Sequence, residues 1–130
     1  MDSKPHLSAA SAPLIDVKGL SAALADFATE RDWNQYHSPK NLVMALTGEV
    51  GELCEIFQWL SEEASRSVAT QPETATAVRE ELADVTFYLV RLASVLGVDL
   101  NEAVTHKLQK NAANYPVEKA HGSHKKYNKL

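Results

Sequence analysis

Two short acidic signatures sit inside apolar runs of the chain. Glu49-Val50-Gly51-Glu52 lies within LVMALTGEVGELCEIFQWL, and Glu81-Leu82-Ala83-Asp84 lies within EELADVTFYLVRLASVL. Both runs read as helices, so each signature sets two carboxylates one turn apart on one face. In the first run Leu42, Leu46, Leu53, Ile56 and Leu60 keep an alternating four-and-three spacing with one slot missing, and Glu49 fills it. Glu52 borders that stripe. In the second run Val78, Leu82, Val85, Leu89, Leu92 and Leu96 form the expected core stripe, flanked by Glu81, Asp84 and Tyr88.

A carboxylate at a core slot is costly unless something compensates it. Two such helices facing each other gather four acids in one cleft, which either raises their pKa values or binds divalent cations. An all-oxygen donor set suits a hard ion, Mg²⁺ or Mn²⁺. The plainer alternative has Glu49 leaning into solvent and the other acids as ordinary helix surface. Two matched pairs, one seated in an apolar stripe, favour the metal site.

The elements that must position these acids follow from the rest of the chain. Residues 1–15, rich in Ser, Ala and Pro, read as a disordered lead-in. A first helix is expected over about Val17 to Arg31, with Leu20, Leu24 and Phe27 on one face. Asp32-Trp33-Asn34-Gln35-Tyr36-His37 is an aromatic-rich connection. Ser38-Pro39 reads as an N-cap followed by Pro at the first helical position. The second helix is expected to reach about Glu62, with a polar loop from Glu63 to Gln71. Pro72-Glu73 opens the third helix, and Gly97 stops it. Asp99-Leu100-Asn101-Glu102 resembles a capping box and starts a fourth helix to about Ala113. Residues 117–130 are a basic tail. No strand pattern occurs, so the fold expected is an all-α helical bundle with the second and third helices as its central antiparallel pair.

The 130 residues suffice for one domain, over 16–116, with a real core. A formal net charge of −4 argues against a nucleic-acid binder, and no run is apolar enough to span a membrane. Cys54 is the single cysteine, which excludes an internal disulfide and fits a cytoplasmic protein. Two long and two short helices make a thin bundle for so many Leu and Val stripes, so self-association through multi-helix bundles is expected.

GEVGE and EELAD, with FQWL after the first and Lys107-x3-Asn111-x3-Tyr115-Pro116 near the end, resemble the MazG-like all-α nucleotide pyrophosphohydrolases. ERDWNQYHSPKNL and FQWL are most similar to the dCTP pyrophosphatase branch, and the likeness covers about Leu20 to Pro116. The resemblance implies a Mg²⁺-dependent hydrolase, with Mn²⁺ as a substitute. It would cleave a nucleoside triphosphate between the α and β phosphates, possible substrates being dCTP or modified dCTP in nucleotide-pool sanitation. It implies Glu49, Glu52, Glu81 and Asp84 as metal ligands, with Glu49 or Glu52 also acting on the attacking water. Trp33, Asn34, Gln35, Tyr36 and His37 correspond to a substrate loop. Trp59, Tyr88, Lys107 and Asn111 correspond to further substrate contacts, although Trp33, Trp59 and Tyr88 also suit plain packing and Lys107 plain surface. A homotetramer built as a dimer of dimers is implied, with a homodimer as alternative. One departure stands out: Leu24 replaces a His of the cytosine-selective pattern, which leaves the preferred base open. A di-iron bundle would need Glu-x-x-His pairs, which neither His37 nor His106 supplies. A non-catalytic helical module is the remaining alternative, one whose stability divalent metal should not change.

Overall fold

The structure, a computed structural model, describes residues 12–130; the expected lead-in lies outside them as far as residue 11. The described residues hold helices and turns and no strand, the all-α class expected. Six α-helices follow in order: α1 Lys18–Glu30, α2 Pro39–Phe57, α3 Glu62–Ser65, α4 Ala75–Leu96, α5 Leu100–Asn114 and α6 Val117–Ala120. Two short 3-10 turns cover Asn34–Tyr36 and Tyr127–Lys129. The described residues divide into two compact units, Val17–Val98 and a second made of residues 12–16 with Asp99–Leu130.

In the first unit α2 and α4 are the principal packed pair, with α1 also against α4. The pair is antiparallel, because His37 just ahead of α2 meets Arg91 late in α4, while Glu49 further along α2 meets Glu81 early in α4. α2 starts as expected: Ser38 is extended, its hydroxyl accepts the Asn41 N–H at 3.2 Å, and Pro39 occupies the first turn. α4 ends as expected at Gly97, whose φ of 70° suits a residue without Cβ. There the Val98 N–H donates to Ala93 O at 2.8 Å, closing the last turn. Ala28, Leu42, Val78, Val90 and Ala93 are the buried apolar residues these helices contribute, and Val68 adds a sixth from the α3–α4 connection.

Three expectations need correction. α2 ends at Phe57, not near Glu62, because Ser61 adopts extended backbone and caps α3, accepting the Ala64 N–H at 3.0 Å. The apolar FQWL run hides this break. α4 opens at Ala75, not Pro72, since the preceding turns are held by Thr74 Oγ1 donating to Val68 O at 2.6 Å. The expected leucine stripe of α4 also splits. Val78 is buried, and Val85 and Leu92 are half-buried, whereas Leu82, Leu89 and Leu96 are 51%, 44% and 54% exposed. Their seven-residue spacing marks a second apolar edge on α4.

In the second unit Asp99 caps α5, its carboxylate accepting the Glu102 N–H at 3.0 Å. Asn101 Oδ1 accepts the Leu14 and Ile15 N–H groups at 2.8 and 3.2 Å. The basic end of the chain contains α6, and Tyr115 and Tyr127 meet edge to face with centroids 6.1 Å apart. No residue of α5 is buried. No helix of the described residues is long and apolar enough to cross a membrane.

Candidate metal centre and substrate loop

The alternating spacing of α2 turns Glu49 toward α4, where Glu81 meets it. Glu49, Glu52 and Glu81 each bring a carboxylate oxygen to within 4.8 Å of the others. Glu49 and Glu81 are half-buried and Glu52 is exposed. One oxygen each of Glu49 and Glu81 is shielded from solvent with no hydrogen-bond partner. Buried acceptors left in this way are uncommon and call for a proton or a cation.

The electrostatics agree. Glu81 is pushed up to about 7, first by its close pairing with the Glu49 carboxyl, then by shielding from water, pairing with Glu52 and the charges of Glu52 and Glu49. The same pairing pulls Glu49 down. Shielding, the bond with Glu52 and the charges of Glu52 and Asp84 outweigh it, and Glu49 is raised overall. Two ionised carboxylates cannot hydrogen-bond to each other, so this contact persists only with a bridging proton or cation. The triad therefore offers the all-oxygen donor set that a hard divalent ion takes. Asp84, one turn beyond Glu81 and half-buried, lies outside the close triad, although its charge reaches Glu49.

The second feature is the loop before α2. Trp33 meets Phe27 edge to face at 5.7 Å and His37 at 6.3 Å. The Asn34 amide donates to Thr29 Oγ1 at 3.1 Å, and that of Gln35 donates to Asp32 Oδ2 at 3.0 Å. Asn41 donates to Tyr36 O at 3.0 Å. Across to α4, Arg91 donates from Nε to His37 Nδ1 at 3.1 Å and from Nη2 to Asn34 Oδ1 at 2.7 Å. Burial pushes His37 below its usual value, and the Arg91 charge adds to the effect.

Arg91 is the residue that sequence reasoning missed. Its signal was its position: Glu81, Asp84, Tyr88 and Arg91 follow at three, four and three residues and share one face of α4. Tyr88 is half-buried midway along this row. Trp59 stands 87% exposed just past the end of α2, with no ring contact among the described residues. Leu24 is half-buried on α1. In the second unit Lys107 is exposed and Asn111 half-buried, four residues apart on α5.

An antiparallel helix pair carrying Glu-x-x-Glu against Glu-x-x-Asp, with a tethered aromatic loop ahead of its first helix, defines an all-α protein with a helix-borne acidic cluster. The sequence profile of the MazG-like family matches residues 45–130. Rat dCTP pyrophosphatase 1 is 51% identical over 106 residues, 82% of this chain and 62% of that protein. The human protein of the same name is 47% identical over the same shares. The chain thus spans about 62% of the length of these relatives. A pyrophosphatase from Archaeoglobus fulgidus superposes with a TM-score of 0.71 at 40% identity, covering 77% of this chain and 92% of that one. The chain belongs to the MazG-like family.

Proposed function

We propose that this chain hydrolyses (deoxy)nucleoside triphosphates to the monophosphate and pyrophosphate, with dCTP and modified dCTP as the first substrates to test. The observation that carries this reading is the pair of shielded, unpartnered oxygens of Glu49 and Glu81, held together at a cost in stability that a cation would relieve once the proton is lost. The names of the relatives, dCTP pyrophosphatase 1 and a pyrophosphatase, supply the reaction class.

In this reading Glu49, Glu52, Glu81 and Asp84 hold Mg²⁺, or Mn²⁺ in its place. When bound, the ion would offset negative charge on the phosphate oxygens. Glu49 or Glu52, whichever keeps an oxygen free of metal, orients the attacking water and takes its proton. Glu52 is the more exposed of the two and so the more open to water. Trp33 and Trp59 offer faces for the base, and Tyr88 lies along α4 between the acids and the loop. From Glu81 to Arg91 the helix rises about 15 Å, a distance an extended nucleoside triphosphate can bridge. Asn34, Gln35 and Tyr36 shape the loop, and the family resemblance alone puts forward Lys107 and Asn111, four residues apart on α5, as contacts to phosphate or sugar. Leu24, an apolar side chain, gives no hydrogen bond to a base edge, which favours tolerance among bases over strict cytosine selection.

The assembly proposed is a homotetramer, a dimer of dimers, acting on free nucleotides in the cytoplasm. It is supported by the exposed apolar edge of Leu82, Leu89 and Leu96 on α4, and by Val43 and Val50 at 45% and 41% exposure on α2. A panel of nucleoside triphosphates with Mg²⁺, scored for pyrophosphate against orthophosphate, tests the reaction. Orthophosphate as the product would overturn the cleavage position, and no turnover of any nucleotide would favour a non-catalytic helical module.

A further inference from the structure

Arg91 stands late in α4, in an otherwise apolar stretch, and spends both arms of its guanidinium on the loop before α2. A guanidinium only donates. His37 Nδ1, 3.1 Å from Arg91 Nε, must therefore carry a lone pair and no proton. The neutral ring then holds its proton on Nε2, for which no hydrogen-bond partner occurs among the described residues. Rotating the ring by half a turn would set a carbon against Arg91 and lose the bond. Asn34 is fixed in the same way. Its Oδ1 accepts from Arg91 at 2.7 Å and its Nδ2 donates to Thr29 Oγ1 at 3.1 Å, whereas the flipped amide would set donor against donor.

We infer that Arg91 is a positioning residue that holds the His37 imidazole in its Nε2–H tautomer, so that the loop presents one fixed N–H donor to an oxygen of the bound nucleotide. This rests on reading Trp33 to His37 as the substrate loop. The displacement of His37 from its usual pKa is in keeping with the arrangement. Preorganisation is the gain: a ring already oriented loses no freedom when substrate arrives. Arg91 touches no substrate itself. A lysine there would hold one point of the loop where the fork holds two.

The test begins on the free protein. In nitrogen-15 NMR of labelled histidines, His37 should appear as the Nε2–H tautomer, and Arg91→Leu should yield a mixture of both. Where Arg91→Leu fails to fold, Arg91→Gln serves, since its amide can donate or accept and the same mixing is expected. In steady-state kinetics with dCTP and Mg²⁺, Arg91→Leu should raise KM about tenfold with kcat little changed, the loss of roughly one oriented hydrogen bond. His37→Gln removes the imidazole and with it the tautomer that Arg91 holds. Adding Arg91→Leu to it should cost much less than in the wild type. A dATP arm separates the possible acceptors, because adenine carries no carbonyl oxygen. A penalty equal for dATP and dCTP places the donor on the shared phosphate or sugar, and one confined to dCTP places it on the base. A protonated Nδ1 in the wild type, an unchanged tautomer in both Arg91 variants, or an undiminished penalty in the His37→Gln background overturns the inference. If the wild type cleaves no nucleotide, the functional reading fails, and the tautomer in the free protein still decides what Arg91 does.

Discussion

Metal uptake at the acidic triad should be coupled to proton release, and the Glu81 carboxyl sets the size of the effect. Because Glu81 is pushed up to about 7, a cation arriving in mildly acidic solution must first displace its proton. At about pH 6 roughly one Glu81 in eleven is ionised, and at about pH 8 roughly ten in eleven. The apparent affinity for Mg²⁺ should therefore rise about tenfold between these conditions, and binding at the lower pH should release close to one proton. Glu49, also raised, can only steepen the trend. Calorimetric titration with Mg²⁺ in buffers of differing ionisation enthalpy reads both quantities together. Glu81→Gln should flatten the pH dependence while weakening binding.

Stability of the metal-free protein should move the opposite way. A carboxyl whose folded pKa lies above the unfolded value binds its proton more tightly in the fold. Stability is thus lost as pH climbs from about 4.5 through about 7, and it levels off above that. Saturating Mg²⁺ should restore it on the alkaline side, where the acids are ionised. An Mg²⁺ affinity constant from about pH 6 to about pH 8, with no proton released, would refute the reasoning, because the shielded oxygens could not then be a proton-or-metal site.

Glu49→Gln should raise the melting temperature of the metal-free protein by removing repulsion, and should abolish pyrophosphate release; a lower melting point would contradict the repulsion. Glu52→Ala and Asp84→Ala should each cut turnover by orders of magnitude with helical content intact by circular dichroism, since neither is a core residue. Leu42→Ala, at a site 1% exposed, should cost about 2–5 kcal/mol in urea denaturation, while Trp59→Ala, at 87% exposure, should leave the melt unchanged. The same Trp59→Ala should weaken nucleotide binding by about 1–3 kcal/mol if the indole stacks on the base, with an unchanged KM across all nucleotides counting against that role. Leu89→Glu should lower the mass seen by light scattering, as a charge on an apolar association face must; a mass insensitive to it would place the interface elsewhere.

Much of this fold could be read from local chemistry. Ser38-Pro39, Gly97 and Asp99 were legible because each answers a need of the backbone alone: an N-cap, a left-handed stop and a second cap. Glu49 was legible because it interrupts an apolar period, so that its type and its position conflict. The break after Phe57 was not, since Gln58, Trp59 and Leu60 continue the helical pattern while Ser61 captures the backbone. The α4 leucines misled for a different reason. Periodicity marks an apolar stripe and cannot show whether the chain's own core covers it, and Leu82, Leu89 and Leu96 are left exposed by that core. Arg91 escaped because one cation in an apolar helix reads as surface until the loop that meets it is placed.

The burden on α4 explains why its residues conflict locally. One face carries Glu81, Asp84, Tyr88 and Arg91, while Val78, Val90 and Ala93 are buried and Leu82, Leu89 and Leu96 form an uncovered edge. A single rigid helix fixes the spacing between the acids and the loop anchor in a way that two flexible loops could not. That rigidity has to survive two unfavourable features, the repelling carboxylates and the exposed leucines. In the proposed reading a divalent ion would relieve the first and association the second, each without changing the other's residues. The two should therefore be separable by measurement. Mg²⁺ should stabilise an associated protein and a Leu89→Glu protein alike, provided α4 stays helical in both. Stabilisation lost along with association would mean that the acid cluster is completed only between copies, and that the face of α4 read here from one chain is half of the site.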